Sequence, residues 1–313
     1  MSTYNIVTQS SESTVVAEYI PEKRNAESYQ GEADLEREFI SLLQAQGYEY
    51  LHIHTEADLI ANLRKKLEEL NDIKFTNPEW ERFFSVHIAN ANEGIVEKTR
   101  KLHEGDSRIS FKRDDGLTKN IALIEKSNIH ANKLQVINQY ENNAGTYKNR
   151  YDVTILVNGL PLIHIELKRR GVQIREAFNQ INRYQRDSFW TANGLFQYVQ
   201  IFVISNGTNT KYYSNTTREN HIRDAQKAQH SKKERTSNSF EFTSFWADES
   251  NKIIPDLIDF TKTFFSKHTV LNILTKYCVF SSENMLLVMR PYQISATEKI
   301  LNKIEVSNNY KQY

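Results

Sequence analysis

The stretch that decides the fold reads Tyr151-Asp-Val-Thr-Ile-Leu-Val-Asn-Gly-Leu-Pro-Leu-Ile-His-Ile-Glu-Leu-Lys168. It consists of two alternating runs around an Asn-Gly pair, the period-two pattern of neighbouring β-strands. On the first run Val153, Ile155 and Val157 share one face, and Asp152 and Thr154 share the other. On the second, Ile163, Ile165 and Leu167 are the apolar face, and His164, Glu166 and Lys168 the polar one. Register decides whether the polar residues meet. A two-residue turn at Asn158-Gly159 pairs 157 with 160 and sets Asp152 against Ile165. A three-residue loop over 158–160 pairs 157 with 161 and sets Asp152 against Glu166, with Val153, Ile155, Val157, Ile163, Ile165 and Leu167 on one face. A one-residue slip turns a strand inside out. The pattern therefore predicts the three-residue loop with a left-handed glycine, or an equivalent bulge.

Working outward, a helix is expected over 172–187, with Ile174, Phe178 and Ile181 on one face. A strand buried on both sides follows at 198–204. Strand, helix, strand is the βαβ pattern, which predicts an α/β fold. Residues 134–140 read as one more strand before the pair. Nearer the N-terminus, a helix runs from about Gly31 to Gly47, with Leu35, Phe39, Leu42 and Leu43 on its inner face. A strand is expected at 48–53, an amphipathic helix at 57–70, and a helix over 78–103 with Trp80, Phe83 and Phe84 in the core. Helical patterns return at 253–276 and after Pro291. Residues 1 to about 30 are polar and read as a tail or a docking arm, and 214–240 read as a loop.

Composition bounds the function. The 313 residues carry 40 Lys+Arg against 39 Asp+Glu, a net charge of +1. A uniformly basic nucleic-acid coat and an acidic solvating tail are both excluded, so charge acts locally. Hydrophobic residues at 39% support a packed core rather than global disorder. Cys278 is the one cysteine, which excludes a disulfide framework and a cysteine-based zinc site. No apolar run reaches the roughly 18 residues of a membrane span, and the N-terminus has no signal-peptide pattern, so a cytoplasmic protein is expected.

Two carboxylates on adjacent strands make a hard oxygen site, and Mg²⁺ favours one or two carboxylates plus water and phosphate. Such an ion lowers the pKa of bound water and stabilises charge at phosphorus. Lys168 shares the face of Glu166 and can orient the attacking water or stabilise negative charge. The competing reading is a surface hairpin with an ordinary ion pair. Local charge favours the site: six basic side chains lie between 148 and 175, and the two acids there are Asp152 and Glu166. A second basic window, 211–235, holds seven Lys/Arg against three acids and reads as a solvated loop or a DNA-backbone contact. On the next helix Gln180 and Tyr184 stand four apart and face one target, with Arg183 beside them.

Asp152, Glu166-Leu-Lys168 and Gln180-x-x-x-Tyr184 resemble the PD-(D/E)xK nuclease motif in its form with an added Gln-x-x-x-Tyr, Tyr151 replacing the usual proline. More closely, YDVTILVNGLPLIHIELKRRGVQIREAFNQINRY is similar to the N-terminal nuclease domain of the restriction (R) subunit of type I restriction–modification enzymes. The similarity runs from about Tyr29 to the C-terminus. Gln30-Gly-Glu-Ala-Asp-Leu-Glu36 matches that family's first helix, and Met289-Arg-Pro-Tyr-Gln293 resembles the lead-in to its ATP-dependent motor. The resemblance implies a PD-(D/E)xK restriction-endonuclease-like core, a mixed β-sheet flanked by helices, with extra N-terminal helices. It implies Mg²⁺ at Asp152 and Glu166, a catalytic Lys168, and Glu32 as the first-helix acid, with Glu36 as the fallback. Gln180, Tyr184, Arg183, Arg169 and Arg170 are the side chains expected to bind DNA or support the site.

The implied organisation is a polar tail over 1–20, a nuclease domain over 21–260, and a helical linker over 261–313 that opens a truncated motor domain. The implied partners are double-stranded DNA and the methylation and specificity subunits, and ATP is the cofactor of the full-length subunit. The chain has no G-x-x-x-x-G-K-[ST] and no Gly-Lys pair, so the motor motifs are expected just beyond 313 and no ATP hydrolysis is expected from this chain. Alternatives are a stand-alone nuclease of a recombination kind, against which the motor lead-in speaks, and a non-cleaving DNA- or subunit-docking module. Among weaker signals, His52-x-His54 lacks an evident third metal ligand, His164 is a neighbour of the site rather than a catalyst, and Trp80, Trp190 and Trp246 read as core or domain contacts.

Overall fold

In a computed structural model of the chain, which describes residues 6–7, 13–21, 31–142, 149–184, 194–215 and 238–310, the decisive hairpin is closed by Asn158 and Gly159 alone. Val157 pairs with Leu160 and Leu156 with Pro161. The ladder then shifts, and Ile155 pairs with Ile163, leaving Leu162 as an extra buried residue. The expected three-residue loop is thus replaced by its equivalent, a two-residue turn plus a bulge. Both turn residues have positive φ, +52° at Asn158 and +84° at Gly159. That is the type I′ turn that Asn-Gly favours and whose twist matches the strands. Past the bulge, Thr154 faces His164 and Val153 faces Ile165, so the next position brings Asp152 opposite Glu166. Pro161, which cannot donate to a ladder, sits beside the irregularity. A Cβ on Gly159 would lie 2.6 Å from the Cα of Leu63, so the turn presses directly on a helix.

In chain order the elements are β1 (Ile6–Val7), β2 (Glu18–Tyr19), α1 (Glu32–Ala45), β3 (Glu49–Tyr50), α2 (Glu56–Asn71), α3 (Asn77–Phe83), α4 (Ile95–His103), β4 (Arg108–Lys112) and β5 (Thr118–Ala122). They continue with β6 (Leu134–Asn142), β7 (Asn149–Val157), β8 (Leu160–Leu167), α5 (Ile174–Tyr184), β9 (Ile201–Ser205) and β10 (Thr210–Ser214). The last are α6 (Leu257–Phe264), α7 (Lys267–Thr275), β11 (Cys278–Phe280), β12 (Leu286–Val288) and α8 (Pro291–Tyr310). The main sheet has the order β10-β9-β8-β7-β6-β3. β3/β6 and β8/β9 are parallel and the other pairs antiparallel. This is the expected mixed sheet flanked by helices, and β8-α5-β9 is its βαβ unit. Every residue of β8 and β9 is buried, as their apolar sequences require.

The helix expected over 78–103 is two helices. α3 runs into a π-helical turn, Phe84–Ile88, and the chain then turns at Asn90, whose side chain accepts the Asn92 N–H (3.0 Å), before α4 begins. Asn and Gly between the two apolar runs supply that break. The strand expected from 198 begins at Ile201, because Leu195–Tyr198 is a 3₁₀ turn. The β4–β5 and β11–β12 hairpins and β10 had no counterpart in the sequence reading.

Residues 13–21 are a docking arm, not a tail. Thr14, Val15, Val16 and Tyr19 are buried. The Tyr19 N–H donates to Asp248 (2.9 Å), its hydroxyl to Asp259 (2.6 Å), and Thr269 donates to the Thr14 carbonyl (3.0 Å). The boundary expected at 260/261 falls inside α6. Phe260 and Phe264 stack, the adjacent Phe265 meets both edge-on, and Phe265 reaches Phe39 of α1 (5.6 Å between ring centres). Aromatic burial therefore ties α6 to the first helix. Trp80 and Trp246 lie in the core as expected, and Trp190 falls outside the described residues, as do 216–237 of the expected loop. Among the described residues no helix is long and apolar enough to cross a membrane.

Candidate active site

The site forms where strands part. The β7–β8 rungs end at Val153 and Ile165, while β8 stays paired with β9 as far as Leu167 and Ser205. The Lys168 N–H follows β9, donating to the Ser205 carbonyl (2.8 Å). The Leu167 N–H has left its β7 partner and donates to Asp152 Oδ2 (2.9 Å). Asp152 thus fills the gap that the diverging strands open.

Its neighbour there is Glu166, fully buried and close enough that the two carboxyls repel each other. Lys168 Nζ stands 3.4 Å from Glu166 Oε1 and 3.4 Å from Glu32 Oε1, and donates to the Leu167 carbonyl (2.9 Å). Glu166 Oε2 is buried with no hydrogen-bond partner. Burial and then the mutual repulsion of the two carboxyls push Asp152 well above the ordinary carboxylate range. Burial does the same to Glu166, and Lys168 only partly opposes it. For Lys168 burial works downward, but Glu166, Asp152 and Glu32 more than offset it and hold the ammonium above its usual value.

His164 is fully buried beside them. Its Nδ1 is 3.2 Å from Thr154 Oγ1 and its Nε2 3.4 Å from Glu166 Oε2. Burial pushes its pKa down to about 3 although Asp152 opposes this, so the ring is neutral near pH 7. Of the two candidate acids of α1, Glu32 faces Lys168, with 44% of its side chain exposed. Glu36 turns away and accepts from Asn138 (2.6 Å) and Gln139.

On α5, Gln180 donates to the Tyr184 hydroxyl, which donates to the Arg150 carbonyl at the start of β7 (2.9 Å). The Tyr184 ring packs on Tyr151 (5.0 Å). The pair therefore stitches α5 to the strand that carries Asp152. Arg169 and Arg183 are exposed. Arg170 is taken up within the fold: it pairs with Asp256 (3.6 Å), the N-cap of α6, and reaches Thr208 (3.4 Å).

Compared with known proteins, residues 29–221 match the family described as Type I restriction enzyme R protein N terminus. The chain belongs to that family. It is 51% identical over 302 residues to the Type I restriction enzyme EcoprrI endonuclease subunit of Escherichia coli, covering 96% of this chain and 91% of that protein. It is 37% identical over 288 residues to the SsaAORF53P endonuclease subunit of Staphylococcus saprophyticus and 34% over 289 to the SauMSSORF170P endonuclease subunit of Staphylococcus aureus. It covers 90% of this chain in both cases but spans only 28% of each staphylococcal protein.

The resemblance drawn from residues 151–184 thus agrees with the type I R-protein family. Among the described residues no three His, Cys, Asp or Glu side chains converge as a ready metal-binding group, at His52 and His54 or elsewhere. What the site offers a divalent cation is the Asp152–Glu166 pair. Two buried carboxyls driven toward protonation, with one oxygen unpartnered, fit a small hard cation whose remaining ligands are water. No sequence signal points to Asn138 and Gln139, which reach α1 beside the site. Their role depends on a backbone conformation that their residue types do not announce.

Proposed function

We propose that this chain is the nuclease-bearing N-terminal part of a type I restriction enzyme R subunit and cuts double-stranded DNA with Mg²⁺. The observation that carries the reading is the buried Asp152–Glu166 pair with Lys168 at its mouth and one carboxylate oxygen unpartnered. Asp152 and Glu166 would hold the ion, which when bound supplies Lewis-acid stabilisation and an acidified water. Asp152 is kept in place by the Leu167 N–H. Lys168 places a positive charge where a scissile phosphate would gather negative charge, and Glu166, Asp152 and Glu32 keep it protonated. Gln180 and Tyr184 support the site by fixing α5 to β7. The exposed Arg169 and Arg183 are the DNA-backbone contacts of this reading, whereas Arg170 supports the turn after β9.

In the full-length subunit the nuclease works with an ATP-driven motor and with the methylation and specificity subunits, in the cytoplasm. The nuclease domain of this reading spans 21–260, and the linker into the motor 261–313. Mn²⁺ titration of the purified chain should show one site, lost in Asp152→Ala. Equal binding by both proteins overturns the metal assignment. In the assembled enzyme, Lys168→Ala should abolish cleavage and leave ATP-driven translocation intact. Loss of both together would mean that Lys168 is structural.

A further inference from the structure

The ladder between β6 and β7 runs from Leu134/Val157 to Asn142/Asn149 with one rung missing, that of Gln139 and Asp152. Gln139 has φ +52° there. A left-handed conformation costs a non-glycine residue about 1 kcal/mol or more, and it persists only where its surroundings hold it. The Gln139 side-chain amide donates to Glu36, and so does that of Asn138 (2.6 Å). Asn138 in turn accepts from the Tyr50 hydroxyl (2.8 Å). Beyond the kink the Glu141 N–H turns to the His54 carbonyl (3.3 Å), on the β3 side of the strand. Asp152 is therefore the position at which both neighbouring ladders open: toward β8 because the strands diverge, and toward β6 because Gln139 is kinked.

We propose that Glu36 is a positioning residue: by binding the amides of Asn138 and Gln139 it holds the β6 kink open across from Asp152 and so sets where the Asp152 carboxylate stands. This rests on the metal-site reading above and extends it to residues outside the site. Glu36 is one helical turn beyond Glu32, so α1 is tied to two strands at once, to the end of β8 through Lys168 and to the β6 kink through Glu36. The chemistry of Glu36 is that of a structural acceptor. It is buried and both oxygens receive amide donors.

In Glu36→Gln one oxygen remains to accept from Asn138, and the contact with Gln139 survives only if the Gln139 amide turns its unpartnered Oε1 toward the new NH₂, a neutral bond in place of a charged one. The kink loses its anchor and Asp152 shifts. Groups that orient metal ligands from behind typically change affinity ten- to a hundredfold.

Rescue separates this role from direct ligation. Glycine adopts positive φ without steric cost, so a glycine at 139 no longer needs the Glu36 anchor. Mn²⁺ titration of the full chain should show at least a tenfold loss in Glu36→Gln, with return to within about threefold of the parent in Glu36→Gln/Gln139→Gly. A double variant as weak as the single one overturns the proposal, as does a single variant that binds like the parent. If the parent chain itself binds no Mn²⁺, or Asp152→Asn binds equally well, the metal reading fails. Hydrogen exchange then decides the positioning role. Exchange over residues 136–142 should differ from the parent in Glu36→Gln and return to parent values in the double variant, and no difference overturns it.

Discussion

Glu79 and Glu166 are the same residue type at the same depth, 1% and 0% exposed, and their surroundings push them in opposite directions. Glu79 receives four donors. Arg113 gives two from its guanidinium (3.1 Å each), and the backbones of Thr76 (2.9 Å) and Asp114 (3.0 Å) give one each. Arg113 first, then the Thr76 N–H, pull its pKa down to about 2. Glu166 has one lysine at 3.4 Å, another carboxyl against it, and an oxygen with no partner, and burial pushes it up. A buried charge with its donors in place is a fastening, here of α3 to the β4–β5 hairpin. A buried charge left short of donors costs stability, and a fold retains that cost where something else is meant to bind.

The contrast can be broken by measuring stability at both places. Glu79→Ala has the largest expected effect, a loss of about 3 kcal/mol in urea unfolding, since it strands a guanidinium and two backbone N–H groups. A loss under about 1 kcal/mol would mean that the four donors are satisfied by water. The acid limb comes next. A depressed carboxylate contributes stability that is fully present above its unfolded pKa of about 4.5 and is lost as pH falls toward about 2. Stability should therefore drop across that window, and Glu79→Gln should flatten the drop. An unchanged slope would place the acid-sensitive group elsewhere.

Glu166→Gln should move the other way, raising the stability of the metal-free chain by about 1 kcal/mol at pH 8, because one of two facing buried charges is removed. Added Mn²⁺ should stabilise the parent chain and not the variant, reversing their order. If Glu166→Gln destabilises the metal-free chain, Glu166 is a fastening like Glu79. Asp34→Asn sets the zero of the scale. Its partner Arg37 is 77% exposed and Asp34 55%, so the change should stay within about 0.5 kcal/mol.

Much of the site was legible in residues 151–184. Alternation placed Asp152, His164, Glu166 and Lys168 on one face, and the demand that the alternating Val and Ile residues of both strands share the other face required Asp152 opposite Glu166. How the chain meets that demand was not legible. Asn-Gly makes the tight turn that its own backbone prefers, and the extra residue is absorbed at Leu162, inside the core. The Glu79 fastening was also invisible, because it joins residues more than thirty positions apart through a hairpin that has little periodicity.

By itself the sequence determined the α/β class, the faces of the two central strands and the set of residues that meet there, because side-chain alternation is a local property of extended backbone. Only the tertiary structure decided that Glu32 rather than Glu36 faces Lys168, that Arg170 is spent on Asp256, and that Gln139 is kinked across from Asp152. Each of these depends on how a helix or loop packs on the sheet. That is set by summed burial and hydrogen-bond satisfaction over distant segments, and no single stretch of residues contains it.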